Sequence, residues 1–382
     1  MKNIAVLGSS GSIGRNALDV VRRFPREFRV ASLGVQSNID VLKQQIKEFH
    51  ITKVSVTDKS AALKLEKESL RGVTVLSGNA GMEELCKDPS VDGIIMAVSG
   101  AEALAPLLAS IEYGKTIALA NKEALVMAGP LIMKKARKSG AVIIPVDSEQ
   151  SAIWQCLRGE EEKALRTIYL TASGGPFLGW DKKKLQTVST EEVLCHPRWK
   201  MGRKITVDSA TLMNKGLELL EAMYLFDVSA DTIEVLIHPE AIIHSMTEFI
   251  DGVIMAQLSA TDMRIPIQYA MTFPQRCNST LERLDFCKLG TMHFEKPDVK
   301  NFPCLRLAYW VAKEGGTLPC VLNAANEVCV SDFLNKRLKF SAIPRVIEKV
   351  LMKHRNNRDP KFSDIMSADA WARAEAVKLL SL

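Results

Sequence analysis

Two acidic side chains, one residue apart, follow an apolar run in the first half of the chain. Asp147 and Glu149 come directly after AVIIPV, whose apolar and mostly β-branched residues predict a buried strand. Carboxylates this close repel each other unless a positive charge lies between them. If the chain is still extended here, both side chains point the same way and could bind one divalent cation. The alternative is a helix start, in which these residues cap the helix DSEQSAIWQCL.

A second acidic group lies in MGRKITVDSATLMNKGLELLEAMYLF, residues 201–226. The apolar spacing after SAT is helical, which places Asn214, Lys215 and Glu218 on one helix face, with Glu221 three residues further on. These side chains could offer a donor, a cation and a carboxylate to one ligand. The alternative is a solvated helix face.

Two further segments place polar residues at predicted strand ends. Asn121, Lys122 and Glu123 follow the strand TIALA, at the carboxyl end where open α/β sheets bind ligands. A helix start with a solvated Lys–Glu pair is the alternative. TIYLTASGGPF runs from a strand into Ser173 and two glycines, whose successive amides could form an anion-binding nest. A common turn would have the same composition.

The segment CHPRWKMGRK, residues 195–204, has the composition of a mobile loop that closes over a site. The alternative is a plain surface loop in which Trp199 is a packing anchor. His238, in LIHPEAIIHSM, is similarly ambiguous, because a lone histidine near a strand end is more often a satisfied structural residue.

The N-terminal segment predicts a strand, a glycine turn and a helix, in NIAVLG, SSGSIG and RNALDVVRRF. Gly8 permits a tight turn, Gly11 lets backbone amides approach a pyrophosphate, and Gly14 lets the helix and strand pack closely. We expect a dinucleotide here, with further hydroxyl donors from Ser9, Ser10 and Ser12. The alternative is an ordinary tight turn. After the second strand, SLGVQSN carries no acid for a ribose 2′-hydroxyl, which favours NADP over NAD.

The remaining pattern predicts the architecture. FRVASLGV, ITKVSVTD, GVTVLSG, DGIIMAVSG, KTIALAN and AVIIPVD are predicted strands, mostly separated by helices, and such alternation is typical of a doubly wound parallel sheet, a Rossmann-like α/β fold. Residues 276–304 are irregular and resemble a linker. Residues 305–382 are predicted to be helical, with SADA at residue 367 as a helix cap.

Composition excludes several classes of protein. A chain of 382 residues is too long for one ordinary core, and 47% apolar with 25% charged residues describes a globular protein. The net charge of +6 is spread out, which suits an acidic small molecule better than nucleic acid. Eight scattered cysteines without a CxxC pair indicate a reducing compartment. We expect no signal peptide and no membrane span.

Six segments resemble the signature blocks of one family, in that family's order. They are GSSGSIG, LANKEALV, PVDSEQSAI, TASGGPF, HPRWKMGRKITVDSATLMNKGLE and IHPEAIIHSM, and the family is 1-deoxy-D-xylulose 5-phosphate reductoisomerase. The resemblance implies that NADPH and Mg²⁺, Mn²⁺ or Co²⁺ support conversion of 1-deoxy-D-xylulose 5-phosphate to 2-C-methyl-D-erythritol 4-phosphate. This is the committed step of the non-mevalonate isoprenoid route. The resemblance also implies a phosphorylated sugar substrate and a cytoplasmic homodimer, with no nucleic-acid or membrane partner.

The resemblance assigns domains as well. Residues 1–149 would form the NADPH-binding Rossmann-like domain, and residues 150–275 an α+β catalytic domain with the lid and the dimer interface. Residues 276–304 would be the linker, and residues 305–382 a C-terminal helical bundle.

The resemblance assigns roles to individual residues. The metal ligands would be Asp147, Glu149 and Glu218, and the catalytic residues Lys122, Glu149 and His196. The substrate would contact Lys122, Ser148, Glu149, Ser173, His196, Trp199, Ser209, Asn214, Lys215 and Glu218. The cofactor would contact Gly8, Ser9, Ser10, Gly11, Ser12, Ile13, Gly34, Gln36, Ser37, Asn38, Asn121, Glu123 and Gly202. Glu221 and His238 match further active-site positions.

Two positions depart from the family pattern. GVQSN lacks the lysine or second small residue that the family often has near Asn38. This difference affects how the 2′-phosphate would be bound. Glu102 stands where the family more often has a small residue.

Two other functions were weighed against the resemblance. A metal-free NAD(P) dehydrogenase would explain the glycine turn but not three acids, and a non-catalytic dinucleotide-binding protein would explain neither the acids nor the tryptophan loop.

Overall fold

The computed structural model describes residues 1–68, 70–195, 198–199 and 201–381. They form two compact units. The first unit comprises Met1–Ala124, Pro130–Ser151 and Asp262–Leu281, and the second comprises Leu125–Gly129, Ala152–Thr261 and Glu282–Leu382. The domain boundaries at residues 149, 275 and 304 stay predictions.

The strands and helices follow each other in an order close to the predicted one. The strands are β1 (Lys2–Leu7), β2 (Phe28–Val35), β3 (Lys53–Val56), β4 (Thr74–Ser77), β5 (Gly93–Met96), β6 (Thr116–Leu119), β7 (Val142–Pro145), β8 (Leu165–Ala172), β9 (Ile233–Ile237), β10 (Ile243–Phe249) and β11 (Ile254–Leu258). The helices are α1 (Ser12–Arg23), α2 (Ile39–Phe49), α3 (Lys59–Lys67), α4 (Gly78–Lys87), α5 (Leu104–Glu112), α6 (Glu123–Ser139), α7 (Ser148–Cys156), α8 (Lys182–Leu185), α9 (Thr190–Val193), α10 (Arg203–Ala210), α11 (Met213–Phe226), α12 (Arg264–Thr272), α13 (Phe286–Leu289), α14 (Pro303–Glu314), α15 (Leu318–Leu334), α16 (Ile343–Lys353) and α17 (Phe362–Leu380).

The first unit is built on a seven-stranded parallel sheet. Its strand order is β4-β3-β2-β1-β5-β6-β7, and every pairing is parallel. The order reverses between β1 and β5, and sheets of this kind bind ligands in the crevice at the carboxyl ends of such strands. The predicted doubly wound sheet is confirmed. Helix α12 joins the same core through Ile267, Ala270 and Met271.

The second unit contains a mixed four-stranded sheet in the order β11-β10-β8-β9. Strand β8 is parallel to β9 and antiparallel to β10. The apolar faces of α11, α14, α15, α16 and α17 share one core with this sheet, which confirms the helical tail. Helix α17 begins at Phe362, five residues before the predicted cap at Ser367, so that prediction is wrong.

No helix of the described residues is long and apolar enough to cross a membrane.

Candidate active site

The glycine turn after β1 has a backbone that only glycine can form. Gly8 has a φ of +86°, and a Cβ there would overlap the carbonyl oxygen of Ala97. A Cβ on Gly14 would overlap the carbonyl oxygen of Gly8, so the start of α1 lies directly on the turn. The amides of Gly8 and Ser9 donate to the carbonyl oxygen of Gly34, at 2.8 and 2.9 Å. These contacts fix the turn that was predicted to hold a pyrophosphate.

The three serines of this turn differ in their surroundings. The Ser9 hydroxyl is buried and donates to Gln45 Oε1 at 2.7 Å, so it holds the turn against α2. Ser10 is half-buried and Ser12 is exposed. Gly11 precedes α1, and no side chain of the described residues caps that helix start. The first amides of α1 are therefore left for an anion.

The segment after β2 was predicted to contact the cofactor. Gln36, Ser37 and Asn38 are exposed there, which leaves them open to a ligand. The Asn38 Oδ1 accepts a hydrogen bond from Val41 N at 3.2 Å and so caps α2. Within the described part of the chain, the Asn38 amide nitrogen donates to no other group, which agrees with a role toward a 2′-phosphate.

Asn121 connects the ends of neighbouring strands. Its Nδ2 donates to the carbonyl oxygens of Val98 and Gly100, at 2.9 and 3.0 Å, and lies 3.0 Å from Glu123 Oε2. Its Oδ1 accepts from Ala124 N at 2.8 Å, which starts α6. Asn121 and Glu123 are thus buried parts of the scaffold that positions the residue between them.

That residue, Lys122, is paired with Asp147. Its Nζ lies 2.6 Å from Asp147 Oδ2, and the two side chains are only 6% and 13% exposed. The pair forms because β6 and β7 are parallel neighbours, so the residues after their carboxyl ends meet. A solvated lysine, the alternative reading of this segment, is excluded. A buried ion pair of this kind requires good geometry and further partners to be stable.

The first acidic pair lies at a helix start. Strand β7 ends at Pro145, and Ser148 begins α7, so the extended conformation considered for Asp147 and Glu149 is wrong. The carbonyl oxygen of Asp147 accepts from Ser151 N, the first bond of the helix, and its Oδ1 accepts from Ser148 N. The two carboxylates still converge, because Glu149 is in the first turn and one oxygen of each lies within 4.8 Å of the other.

In the second unit, Glu218 lies in a buried charged cluster on α11. Asn214 Nδ2 donates to Glu218 Oε1 at 2.5 Å, and Lys215 Nζ donates to Glu218 Oε2. Lys215 and Glu218 are 3% and 1% exposed, and Glu221 is fully buried. The predicted shared helix face is confirmed, and the alternative of a solvated face is wrong. A carboxylate this deep is stable only where cations and donors surround it.

The turn after β8 lies against the carboxyl end of α10, the helix that precedes α11. Gly174 and Gly175 have φ values of +86° and +70°, and a Cβ on Gly175 would lie 2.9 Å from the carbonyl oxygen of Ser209. Ser173 precedes these glycines and is half-buried. The structure therefore brings the Ser173 turn next to Ser209, as a shared phosphate site requires.

Helix α10, which carries Ser209, is held by a carboxylate that the sequence did not single out. Gly202 precedes the helix and accepts from Thr206 N. Asp208 is 1% exposed, and its oxygens accept from Lys204 Nζ and Asn326 Nδ2, each at 2.8 Å. Asn326 is on α15, so this contact fixes α10 to the helical part of the unit.

The predicted lid is described in part. His196 lies outside the described residues, so its assignment stays a prediction. The Trp199 ring centroid lies 6.2 Å from that of His244, a buried residue that the sequence analysis missed. Burial lowers the pKa of His244 to about 4, which keeps the ring neutral at pH 7. The only sequence signal for His244 was its place in the quoted block IHPEAIIHSM.

His238 has the contacts of a structural residue. Its Nδ1 lies 2.9 Å from the carbonyl oxygen of His293, and its Nε2 accepts from Ile243 N at 3.2 Å. The ring also stacks on Phe294 with centroids 4.8 Å apart. Both ring nitrogens are used within the fold, which favours the structural alternative.

The chain resembles known proteins in family, sequence and structure. Family models match residues 4–129 (1-deoxy-D-xylulose 5-phosphate reductoisomerase), residues 143–226 (its C-terminal domain) and residues 258–375 (DXP reductoisomerase C-terminal domain). A 1-deoxy-D-xylulose 5-phosphate reductoisomerase of Thermodesulfovibrio yellowstonii is 48% identical over 378 residues, covering 99% of both chains. Another, from Desulfosudis oleivorans, is 48% identical over the full length of both.

Two solved structures match the whole fold. A DOX-P reductoisomerase in complex with NADPH, fosmidomycin and magnesium has a TM-score of 0.94 at 37% identity, covering 100% of this chain and 99% of the other. The enzyme of Zymomonas mobilis, in complex with NADPH, has a TM-score of 0.92 at 38% identity, covering 99% of each chain.

A parallel sheet with a glycine turn at its switch point, together with a lysine-linked carboxylate pair, defines an α/β oxidoreductase of the dinucleotide-binding class. Within that class, the chain belongs to the 1-deoxy-D-xylulose 5-phosphate reductoisomerase family. The resemblance that six short segments carried is confirmed over the full length.

Proposed function

We propose that this chain converts 1-deoxy-D-xylulose 5-phosphate to 2-C-methyl-D-erythritol 4-phosphate with NADPH and a divalent metal ion. The observation that carries this proposal is full-length membership of the family, at 48% identity to a curated reductoisomerase. The buried Lys122–Asp147 pair and the converging carboxylate of Glu149 supply the chemistry that a metal-dependent reaction needs. The reaction is the committed step of the non-mevalonate isoprenoid route.

The glycine turn fits NADPH. Gly8 and Gly14 let the turn pack directly against the backbone of Ala97 and Gly8, and the uncapped start of α1 offers amides to a pyrophosphate. Ser10, Ser12 and the exposed residues after β2 are the proposed contacts for the rest of the cofactor. The cofactor predicted from the sequence agrees with the two solved relatives, which are NADPH complexes.

The carboxylate pair fits a hard divalent cation. Asp147 and Glu149 offer oxygen atoms within 4.8 Å of each other, and oxygen donors of this kind suit Mg²⁺ or Mn²⁺. We assign Glu218 as the third ligand, and magnesium is present in a solved relative. A cation bound there supplies a Lewis acid that polarises the substrate's carbonyl. Lys122 holds Asp147 in place, and the Ser148 hydroxyl, which donates to Glu149, orients that carboxylate.

The second unit contains the proposed contacts to the phosphate of the substrate. Ser173, Ser209, Asn214 and Lys215 are the proposed contacts, because the Ser173 turn lies against Ser209 and Lys215 provides a buried cation. Trp199, beside the neutral ring of His244, is assigned to cover the bound substrate, and His196 to the same lid. Gly202, at the start of α10, is assigned to the cofactor side.

The decisive measurement is NADPH oxidation followed at 340 nm with 1-deoxy-D-xylulose 5-phosphate. We expect turnover that requires substrate and Mg²⁺ or Mn²⁺ and stops with excess EDTA. Turnover that persists after exhaustive chelation would instead indicate a metal-free dehydrogenase. NADPH binding without turnover of the substrate would indicate a non-catalytic dinucleotide-binding protein.

We also propose a homodimer that uses the free edge of the second sheet. Strand β11 is at the edge of that sheet, and three apolar side chains in or beside it are exposed, namely Ile250 at 68%, Val253 at 52% and Ile254 at 51%. Exposed apolar residues on an edge strand are a liability that a partner surface removes.

We place the enzyme in the cytoplasm. Among the described residues, all eight cysteines are free thiols, and five of them are buried, namely Cys86, Cys156, Cys304, Cys320 and Cys329. Free thiols agree with a reducing compartment.

A further inference from the structure

A cavity in the second unit is lined by none of the residues assigned above to metal, substrate or cofactor. Its volume is about 270 Å³, and it lies among α8, the first turns of α14 and α16, and Thr211. Pockets that hold drug-sized ligands span about 300 to 1,000 Å³, so this cavity suits a smaller molecule.

The charged side chains among the described residues that line the cavity are all cations. Lys182, Lys300 and Arg345 line it, and no Asp or Glu is among the described lining residues. None of the three cations has a salt-bridge partner within the part of the chain that the structure describes. The neighbouring acids are already engaged, since Asp181 caps α8 and Asp298 accepts from the backbone of Lys300. Three uncompensated cations around one cavity favour an anionic occupant.

Two helix starts add to this preference. Helix α14 begins at Pro303 and α16 begins at Ile343, and the first turns of both line the cavity. In the described residues, neither start has a side-chain cap, because Phe302 and Ala342 occupy the capping positions. Helices of 12 and 11 residues present the positive ends of their dipoles there.

The inner wall of the cavity is apolar. Leu185, Phe302, Cys304 and Phe340 are each at most 6% exposed. The Phe340 ring is fixed by edge contacts to Phe177 and Phe333. We propose that this cavity binds a small amphiphilic anion, with a phosphate or carboxylate head among Lys182, Lys300 and Arg345 and a short hydrocarbon tail against the buried aromatic wall.

The cavity is lined in part by the segment that carries the proposed phosphate contacts. A bound molecule would therefore affect substrate binding, an inference that rests on the proposed function. Thr211 lines the cavity, and its hydroxyl donates to the carbonyl oxygen of Asp208 and accepts from Met213 N. Those bonds form the turn between α10, which carries Ser209, and α11, which carries Lys215. An occupant that shifts Thr211 changes the KM for the phosphorylated substrate.

The test is calorimetric titration of the full-length enzyme with hexyl phosphate, in the absence of NADPH and with saturating 1-deoxy-D-xylulose 5-phosphate. Hexanoate and inorganic phosphate are titrated in parallel. Arg345→Glu and Lys300→Glu remove charge from the cavity, and Lys349→Glu, on the same helix as Arg345 but outside the lining, is the matched control.

We expect hexyl phosphate to bind with one site per chain, at least about tenfold tighter than inorganic phosphate, and to bind about tenfold more weakly to both cavity variants but not to Lys349→Glu. Tighter binding of hexanoate would support the site and assign it a carboxylate head. Equal binding by all variants, equal affinity for inorganic phosphate, or displacement by the substrate would overturn the proposal. Heat of binding is independent of turnover, so failure here and failure of the proposed reaction are distinguishable.

Discussion

Glu218 is held by two neighbours on its own helix, Asn214 and Lys215, and it has almost no contact with solvent. Replacing Glu218 with Gln keeps the shape but removes the negative charge that a metal ligand needs. We expect kcat/KM to fall by at least about 100-fold, with NADPH affinity within about twofold of wild type. Steady-state assays across a range of Mg²⁺ concentrations, together with cofactor titration, would measure both.

Glu234→Gln is the control for that variant, because Glu234 is an exposed glutamate on β9. A folded Glu218→Gln protein with wild-type turnover would show that the third metal ligand is assigned wrongly.

His244 makes the stability of the enzyme sensitive to acid. Burial lowers its pKa to about 4 from 6.5, so between these values the unfolded chain binds a proton that the folded chain does not. The free energy of unfolding therefore falls as the pH falls through this window, by up to about 3 kcal/mol for His244 alone. Urea unfolding of wild type and His244→Gln at pH 7 and pH 4.5 should show a smaller loss in the variant. Equal losses would contradict the assignment.

The sequence singled out the charged residues of the candidate site more readily than it indicated their surroundings. Asp147, Glu149 and Glu218 were visible because they follow a strand or share a helix face. His244 and the contact of Asp208 with Asn326 were not, since 118 residues separate that pair and burial is a property of the folded chain.

At the scale of single elements, α1 depends on its close approach to the glycine turn. A Cβ at Gly14 would overlap the backbone of Gly8 and Ser9, which cannot move aside as a flexible side chain could. We expect Gly14→Ala to cost about 1 to 3 kcal/mol of stability and to weaken NADPH binding at least about tenfold.

Gly11→Ala is the matched control for Gly14→Ala. Gly11 has a φ of −75°, and a Cβ there would lie 3.3 Å from the nearest atom. Thermal unfolding would compare the stability of the two variants, and fluorescence titration would measure NADPH binding by Gly14→Ala alone, because Gly11 is itself a predicted cofactor contact. Equal effects would show that the steric argument for the turn is wrong.

Helix α10 depends on a contact from α15. Asn326→Leu removes the donor to Asp208 and leaves a buried carboxylate with Lys204 alone. Because α10 carries Ser209, we expect the KM for the substrate to rise about tenfold while kcat changes less than about threefold. Asn323→Leu, equally buried on the same helix but bonded to Glu327, should leave KM unchanged. A uniform loss in both variants would point to general destabilisation.

Most helices and strands were predictable because the hydrophobic periodicity and the turn residues indicate the same boundaries. The strands of the first sheet are short apolar runs between glycine or polar turns, and β2 coincides with FRVASLGV. The start of α17 was mispredicted, because Asp364 accepts from Lys361 N and begins the helix before the SADA segment does. The turn at the start of α7 was ambiguous, since a strand end and a helix cap favour the same acidic residues.

At the scale of the whole molecule, the exposed edge of β11 predicts a concentration-dependent assembly. Ile254→Lys places a charge on the edge, which we expect to shift the protein from dimer to monomer in sedimentation velocity. Val377→Lys, at a similarly exposed apolar residue on α17, should leave the dimer intact. A dimer that survives Ile254→Lys would place the interface elsewhere.

The sequence did not predict how distant segments combine into compact units. Each of the two units draws on three separate stretches of the chain, and the first recruits Asp262–Leu281. Helix α12 joins that unit because Ile267, Ala270 and Met271 complete its core, a match of surfaces that no local pattern encodes.

The buried cysteines of the enzyme can report local unfolding, because their thiols react only when the surrounding structure opens. Burial raises the pKa of the Cys86 and Cys156 thiols to about 11, and Cys304, Cys320 and Cys329 are enclosed as well, whereas Cys195 and Cys287 are exposed. An alkylating reagent should therefore mark the exposed thiols at once and the five enclosed thiols only when their surroundings open. Counting marked cysteines by mass over time would then rank the two units by how often each unfolds, because Cys86 belongs to the first and the other four to the second.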